Sequence, residues 1–325
     1  MDRHNDRPIV VGVDDSPSAI PAARWAADLA AREQVSLLLV STIPAPDYPV
    51  AAGGRAERDL LRTFSSVARR RAERVADIVQ RDQPSLPIRQ LPRVGDPVRE
   101  LVATSADARM VVVAGPDTRR LPTLLTGSIA ERVAEKSHCP VAVWHGRLDD
   151  PLSDRRPVLV DLGASAGTGP IGNAFELAEL LDVDVIAMRS ATPPRRESAR
   201  LSPQQRNAVR TEQLVAGWQR QYPNVRVTNV IEPDTSARTR AARAGNAQMV
   251  VSGDRGGNRL SGMLSRSVSQ NLMYRAPCPM IVCDSHELIQ PPSVRRVGES
   301  ARDSGRSAKR ARRTDAELTT TGPIG

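Results

Sequence analysis

Short unbroken apolar runs alternate along this chain with stretches in which apolar residues return every three or four positions. In the N-terminal part the runs fall at about residues 8–14, 36–43, 86–91, 110–115 and 140–144, and each predicts a strand. The gaps read as helices. From Glu57 to Gln80, the residues Leu60, Leu61, Phe64, Val67, Ala68, Val75, Ile78 and Val79 share one face, and the opposite face is rich in Arg. Asp96-Pro97 predicts a helix start, with a carboxylate to cap free N–H groups and Pro at the first helical position. Strands with continuous apolar runs, alternating with helices, predict a parallel sheet covered on both faces.

The pattern occurs twice. Met110-Val-Val-Val-Ala-Gly115, a loop, Gly127-Ser-Ile-Ala, a short helix and Cys139-Pro-Val-Ala-Val143 are answered by Met249-Val-Val-Ser-Gly253, a loop, Ser267-Val-Ser, a short helix and Cys278-Pro-Met-Ile-Val282. Upstream, Arg7-Pro-Ile-Val-Val11 is echoed by Arg156-Pro-Val-Leu-Val160. A repeat on this scale makes the chain a tandem duplication of one βαβαβαβαβ unit. The expected architecture is α/β: two doubly wound, Rossmann-like, five-stranded parallel-sheet domains. Their expected bounds are residues 1–148 and 157–286, joined by a charged linker over 149–156.

Composition refines this picture. A chain of 325 residues, 40% hydrophobic, suits about two domains on a prior of roughly 100 to 200 residues each. Three Trp, three Tyr and two Phe leave the cores to Val, Leu, Ile and Ala. Residues 287–325 lose the hydrophobic period and carry the cluster Lys309-Arg-Ala-Arg-Arg313, so a disordered basic tail is expected there. That tail holds eight Lys or Arg against five Asp or Glu, so most of the net charge of +9 belongs to the folded part. Cys139, Cys278 and Cys283 are too scattered for a disulfide framework or a zinc site. The N-terminus reads as a strand, not a signal segment, and no stretch approaches the roughly 20 apolar residues that span a bilayer. A soluble cytoplasmic protein is expected.

A doubly wound sheet binds ligands beyond the carboxyl ends of its strands, where strand order reverses, which points to the loops after the first and fourth strands. In the second copy the fourth strand runs into Gly253-Asp-Arg-Gly256-Gly257-Asn258, and Arg266-Ser267-Val268-Ser269 opens the next helix. Glycines ahead of a helix N-terminus let backbone N–H groups approach a phosphate, and the helix dipole favours negative charge. The expected chemistry is an anion cradle.

The spacing Gly, two residues, Gly, nine residues, Gly, Ser or Thr after a Val-rich strand resembles the universal stress protein family. So do the opening Val11-Gly12-Val13-Asp14-Asp15-Ser16-Pro17, the helix Arg24-Trp-Ala-Ala-Asp-Leu-Ala30 and the closing Cys-Pro strand. The resemblance covers roughly residues 7–285. ATP-binding members of that family hold adenine and ribose near the Asp at the first strand end and the phosphates on the glycine loop. Carried over, Asp14 is the nucleoside-side carboxylate, Thr42 ends the second strand, Ala114 and Gly115 end the fourth, and Gly127, Ser128 and Ile129 open the phosphate-side helix. The matching positions in the second copy are Gly253, Gly256, Ser267, Val268 and Ser269.

The departures from the family pattern fall on opposite sides in the two copies. In the first copy, Thr118 replaces the second Gly, Pro116 lies in the loop, and the spacing to Gly127 is one residue short. In the second, Arg266 replaces the third Gly and an ungapped alignment puts Gly163 where the Asp belongs, making this copy degenerate. Asp161 replaces that carboxylate only if the strand shifts by two residues. Arg266 either blocks the close backbone approach that Gly allows or binds phosphate itself, and the blocking reading is favoured. Arg119, Arg120, Arg255 and Arg259 either screen phosphate or form a solvated basic loop.

Other chemistries find little support. His138 and Cys139 are neighbours that a strand points to opposite sides, so no nucleophile–base pair is expected, and Cys139 reads as structural. No His and carboxylate cluster has ligand spacing, so Mg²⁺ would arrive with ATP. Trp25 and Trp218 read as core or interface residues. Aromatics are not interleaved with the basic tail, and nucleic acid is not expected as a partner. The expectation is an adenine-nucleotide-linked stress or regulatory protein without catalysis of its own. A non-nucleotide interaction and dimerisation module ranks second and a weak ATPase third. The last strands, Val141 to Trp144 and Met280 to Cys283, are expected to pair within the chain, with a weaker homodimer of whole chains beyond that.

Overall fold

In a computed structural model, the described residues are 7–44, 55–115, 129–145, 155–162, 167–190, 203–232, 237–253, 272–274 and 276–284. The first half runs β1 (Ile9–Val13), α1 (Ala19–Glu33), β2 (Leu37–Ile43), α2 (Arg55–Asp82), β3 (Ile88–Val94), α3 (Pro97–Ser105), β4 (Met110–Ala114), α4 (Ile129–Lys136) and β5 (Val141–Trp144). The second runs β6 (Val158–Asp161), α5 (Thr168–Leu181), β7 (Val185–Ser190), α6 (Pro203–Gln221), β8 (Val227–Glu232), α7 (Ala237–Ala244), β9 (Met249–Ser252) and β10 (Met280–Val282).

The strands lie in the order β3-β2-β1-β4-β5-β10-β9-β6-β7-β8. Within each half all pairings are parallel, and β1, like β6, sits between the second and fourth strands of its own half. This is the α/β architecture expected for both copies. At the centre β5 meets β10 antiparallel, Val143 opposite Met280 and Val141 opposite Val282. A ten-stranded sheet results.

Local chemistry explains the elements. The Asp96 carboxylate accepts the Val98 N–H at 3.0 Å and Pro97 is the first helical residue, so α3 starts where a cap and a fixed φ coincide. Helices α1 and α5 both stop at a left-handed residue, Gln34 at φ 58° and Asp182 at φ 53°. Strands β1, β4, β5, β6 and β9 are buried almost throughout, as sheets covered on both faces require. One face carries a core that includes Val11, Trp25, Leu29, Val160, Phe175 and Trp218, and the other a core that includes Val10, Leu101, Val133, Leu159 and Leu272. Both tryptophans are therefore core residues. Cys139 is buried and His138 exposed, which separates the two side chains.

The outer strands are β3 and β8. Strand β3 runs to Val94, through Pro92 and Arg93 and beyond the apolar run that ended at Leu91. Pro lacks a ladder donor and is tolerated where one side of a strand has no partner. Among the described residues, no helix is long and apolar enough to cross a membrane.

Candidate functional site

Strand order reverses in the first half between β1 and β4, which places the candidate site at the carboxyl ends of β1, β2 and β4. Asp14 follows the last residue of β1 and is exposed. Its Oδ1 accepts the Ser16 N–H at 3.0 Å, and among the described residues Oδ2 has no partner. Val13 pairs with Ser41, so Asp14 and Thr42 follow at neighbouring strand ends. The hydroxyls of Ser16 and Ser41 are both buried and, among the described residues, have no hydrogen-bond partner. Buried hydroxyls are ordinarily satisfied, so the carboxyl ends of β1 and β2 carry polar groups short of partners among the described residues.

Arg71 organises this end. From α2 its guanidinium reaches the Asp15 carboxylate with Nε at 3.0 Å and with a second, shorter contact, and it donates to the Thr42 carbonyl at 3.1 Å. Arg74 adds a longer contact to Asp15 at 3.5 Å. The bond from Arg71 is the main cause that holds the Asp15 carboxyl below the usual range, with the Arg71 and Arg74 charges acting in the same direction. The clamp thus ties the loop that carries Asp14 to the end of β2. Sequence reasoning missed it, although a signal was present: Arg71 lies at helical spacing from Ala68 and Val75, a cation on the apolar stripe of α2.

On the phosphate side, Gly115 follows β4 and meets His145. A Cβ added to Gly115 would lie 2.3 Å from Nε2 of His145, so the room left by this glycine is filled by an imidazole of the same chain. The Gly115 N–H also donates to the Trp144 carbonyl at 2.8 Å and is not offered to a ligand. Among the described residues, neither ring nitrogen of His145 completes a hydrogen bond. Burial pushes its pKa down to about 4, only partly opposed by the nearby Val143 carbonyl. Ala114 ends β4 opposite Trp144, and Ile129 opens α4, half exposed. Gly127 and Ser128 lie outside the described residues, as do Thr118, Arg119 and Arg120.

In the second half Gly253 directly follows β9. Gly163, Gly256, Arg255, Arg259, Arg266, Ser267, Val268 and Ser269 lie outside the described residues. The strands nevertheless decide one question of register. Ile9 of β1 and Val158 of β6 stand opposite Met110 and Met249, so Asp161 occupies the position of Gly12, and by count along the sequence Gly163 corresponds to Asp14. No two-residue shift has occurred. Asp161 does not replace the missing carboxylate, because its side chain is buried and paired with Arg240 of α7.

The pattern of the universal stress protein family matches residues 6–145 and, a second time, residues 156–284. The chain belongs to the universal stress protein family. Two universal stress proteins of Mycobacterium tuberculosis are similar to it. One is 33% identical over 289 residues, covering 84% of this chain and 95% of that protein; the other is 31% identical over 291 residues, covering 84% and 96%. A solved universal stress protein from Archaeoglobus fulgidus shares the fold at 17% identity and a TM-score of 0.64, covering 86% of this chain and 98% of that one. This universal stress protein therefore matches its relatives as a tandem pair over nearly their whole length. Among its described residues, no three His, Cys, Asp or Glu side chains gather into a group able to hold a metal ion.

Proposed function

We propose that this universal stress protein binds an adenine nucleotide, ATP in the first instance, and acts as a stress-response or regulatory protein without chemistry of its own. The observation that carries the reading is the exposed Asp14 carboxylate at the end of β1, with one oxygen free among the described residues. A ribose offers two hydroxyl donors, and an ionised carboxylate is the strong acceptor for them. Thr42 and Ala114 would flank the nucleoside from the neighbouring strand ends, and residues 127–129 would receive the phosphates. Mg²⁺ would be carried by those phosphates, because carboxylate cages suited to it are missing from the described residues. The nucleotide supplies a charged, exchangeable signal, and the chain supplies the pocket that reads it. The proposed setting is the cytoplasm, with the two halves working as a pair.

A second reading is favoured by one observation, the imidazole of His145 packed on Gly115. A phosphate loop whose first glycine is covered in this way would suit an interaction module without nucleotide. Slow ATP hydrolysis ranks third. The test is calorimetric titration of the purified chain with ATP and Mg²⁺. Micromolar binding that is weakened at least about tenfold with Asp14→Ala supports the nucleotide reading, and no heat at millimolar ATP sinks it in favour of the interaction module.

A further inference from the structure

The duplication allows each residue at one set of strand ends to be compared with its counterpart at the other. Strand register equates Gly12 with Asp161, and Ser41 with Arg189 through the pairings Val10–Leu38 and Leu159–Ile186. It equates Arg93 with Glu232 through Leu38–Arg89 and Ile186–Thr228. The turns that close α3 and α7, Ala108 N–H to Ser105 carbonyl and Ala247 N–H to Ala244 carbonyl, equate Leu101 with Arg240 and Thr104 with Arg243. Matching turns after α2 and α6, at Gln83 and Tyr222, equate Arg71 with Arg210 and Glu73 with Glu212.

The exchanges all run in one direction. In the first half Gly12 lies under Leu101, where an added Cβ would stand 3.1 Å from the Leu101 methyl, an apolar contact in the core. In the second half the same two positions hold Asp161 and Arg240, ion-paired with side chains 3% and 9% exposed. The positions of Arg93 and Thr104 become Glu232 and Arg243, paired at 3.0 Å, and those of Ser41 and Glu73 become Arg189 and Glu212, paired at 2.6 Å. Asp161, Arg189 and Glu232 sit at or next to the carboxyl ends of β6, β7 and β8. Two of these pairs, Asp161–Arg240 and Glu232–Arg243, thus stand at the carboxyl ends of β6 and β8, the end of the sheet at which this fold takes its ligand. Conversely, Arg210, at the position of Arg71, is exposed, and by count along the sequence Gly163 and Ala164 correspond to Asp14 and Asp15.

We propose that the chain takes one adenine nucleotide, in its first half, and that the strand ends of the second half, which carry the pairs Asp161–Arg240 and Glu232–Arg243, take none. The inference rests on the nucleotide reading and deepens it. A ribose needs a carboxylate with a free oxygen; Asp14 offers one, whereas both oxygens of Asp161 face Arg240. A phosphate needs uncompensated cations or N–H groups, and among the described residues Arg240 and Arg243 are each paired with a carboxylate. Opening a buried pair to serve a ligand loses more than the new hydrogen bond returns. The glycines Gly253 and Gly256 keep the family spacing in the second half, which makes two-site binding the natural contrary outcome.

The experiment combines stoichiometry with location in the full chain. Calorimetry with ATP and Mg²⁺ is expected to give one site per chain, weakened by about tenfold to a hundredfold with Asp14→Ala, the worth of one charge-assisted hydrogen bond. Photolabelling of the unmodified chain with an azido-ATP, followed by peptide mapping, is expected to mark peptides between residues 7 and 145 alone. Because the label needs no variant, it decides the matter even if Asp14→Ala fails to fold. Two sites per chain, or a label within residues 156–284, overturns the inference and leaves the nucleotide reading standing. No binding at all overturns both.

Discussion

Arg109 of the first half holds Glu176 of the second, NH2 to Oε1 at 2.7 Å, while its Nε is paired with Glu33 at the end of α1. One guanidinium therefore bridges α1 and α5, on opposite sides of the β5–β10 seam. Glu33 is nearly buried, and burial is the main cause that raises its carboxyl above the usual range, against the opposing pull of Arg109. Removing the cation strands that carboxylate. Arg109→Met is expected to cost about 3 kcal/mol at neutral pH, the scale for a buried pair deprived of one partner. The native state then binds the Glu33 proton more readily than the unfolded chain, so stability falls as pH rises through the carboxylate range. The loss should accordingly shrink at pH near 4.5, which urea melts at two pH values would check. An equal loss at both would refute the assignment to Glu33.

Gly115 and His145 define a second test. Gly115→Ala places a methyl into the imidazole and is expected to destabilise by about 1 to 3 kcal/mol, as overpacking does. In a His145→Ala background the same substitution should be close to neutral, so a double-variant cycle isolates the contact. Additive effects would show that the two do not touch.

The same histidine carries a pH dependence of opposite sign to that of Glu33. With a native pKa near 4 against an ordinary 6.5, the unfolded chain binds the proton first. Stability is then intact above about pH 6.5 and falls by about 3 kcal/mol as pH drops through 4. Imidazole NMR signals should report one histidine still neutral at pH 5. Its titration near 6.5 would contradict the burial described.

Asp161 and Arg240 invite substitution by their first-half counterparts. Either Asp161→Gly or Arg240→Leu alone leaves a buried charge without its partner and is expected to cost about 3 to 5 kcal/mol. The double substitution restores an apolar contact and should cost much less, as melts of the three variants would reveal. A double variant as unstable as the worse single would mean that the pair supports more than itself.

Arg71→Met should release the loop that carries Asp14. The Asp15 carboxyl is expected to titrate closer to its ordinary range, and the Ser16 amide to exchange faster with solvent, while the core amides of β1 stay protected. Unchanged exchange at Ser16 would remove Arg71 from any positioning role.

Much of the fold was legible because its determinants are local. Apolar runs located β1, β2, β4 and β5 to within about two residues, and Asp96-Pro97 located the start of α3. Strand β3 was cut short at Leu91, since Pro92 and Arg93 interrupt the run and only an outer position makes them tolerable. The candidate site was legible in part. The place of Asp14, directly after β1, was legible from the apolar run that ends at Val13. The clamp by Arg71, the filling of Gly115 by His145 and the pairing of Asp161 with Arg240 depend on contacts 30 to 79 residues apart in sequence, which the chain encodes only through its completed sheet.

The antiparallel ladder between β5 and β10 changes what dilution can do to this molecule. Two separate domains meeting through such short strands would part as their concentration fell, and each would then expose an apolar edge. Joined by a short stretch of chain, each edge instead sees its partner at an effective concentration on the order of millimolar. The pairing of the halves becomes indifferent to how many copies the cell holds.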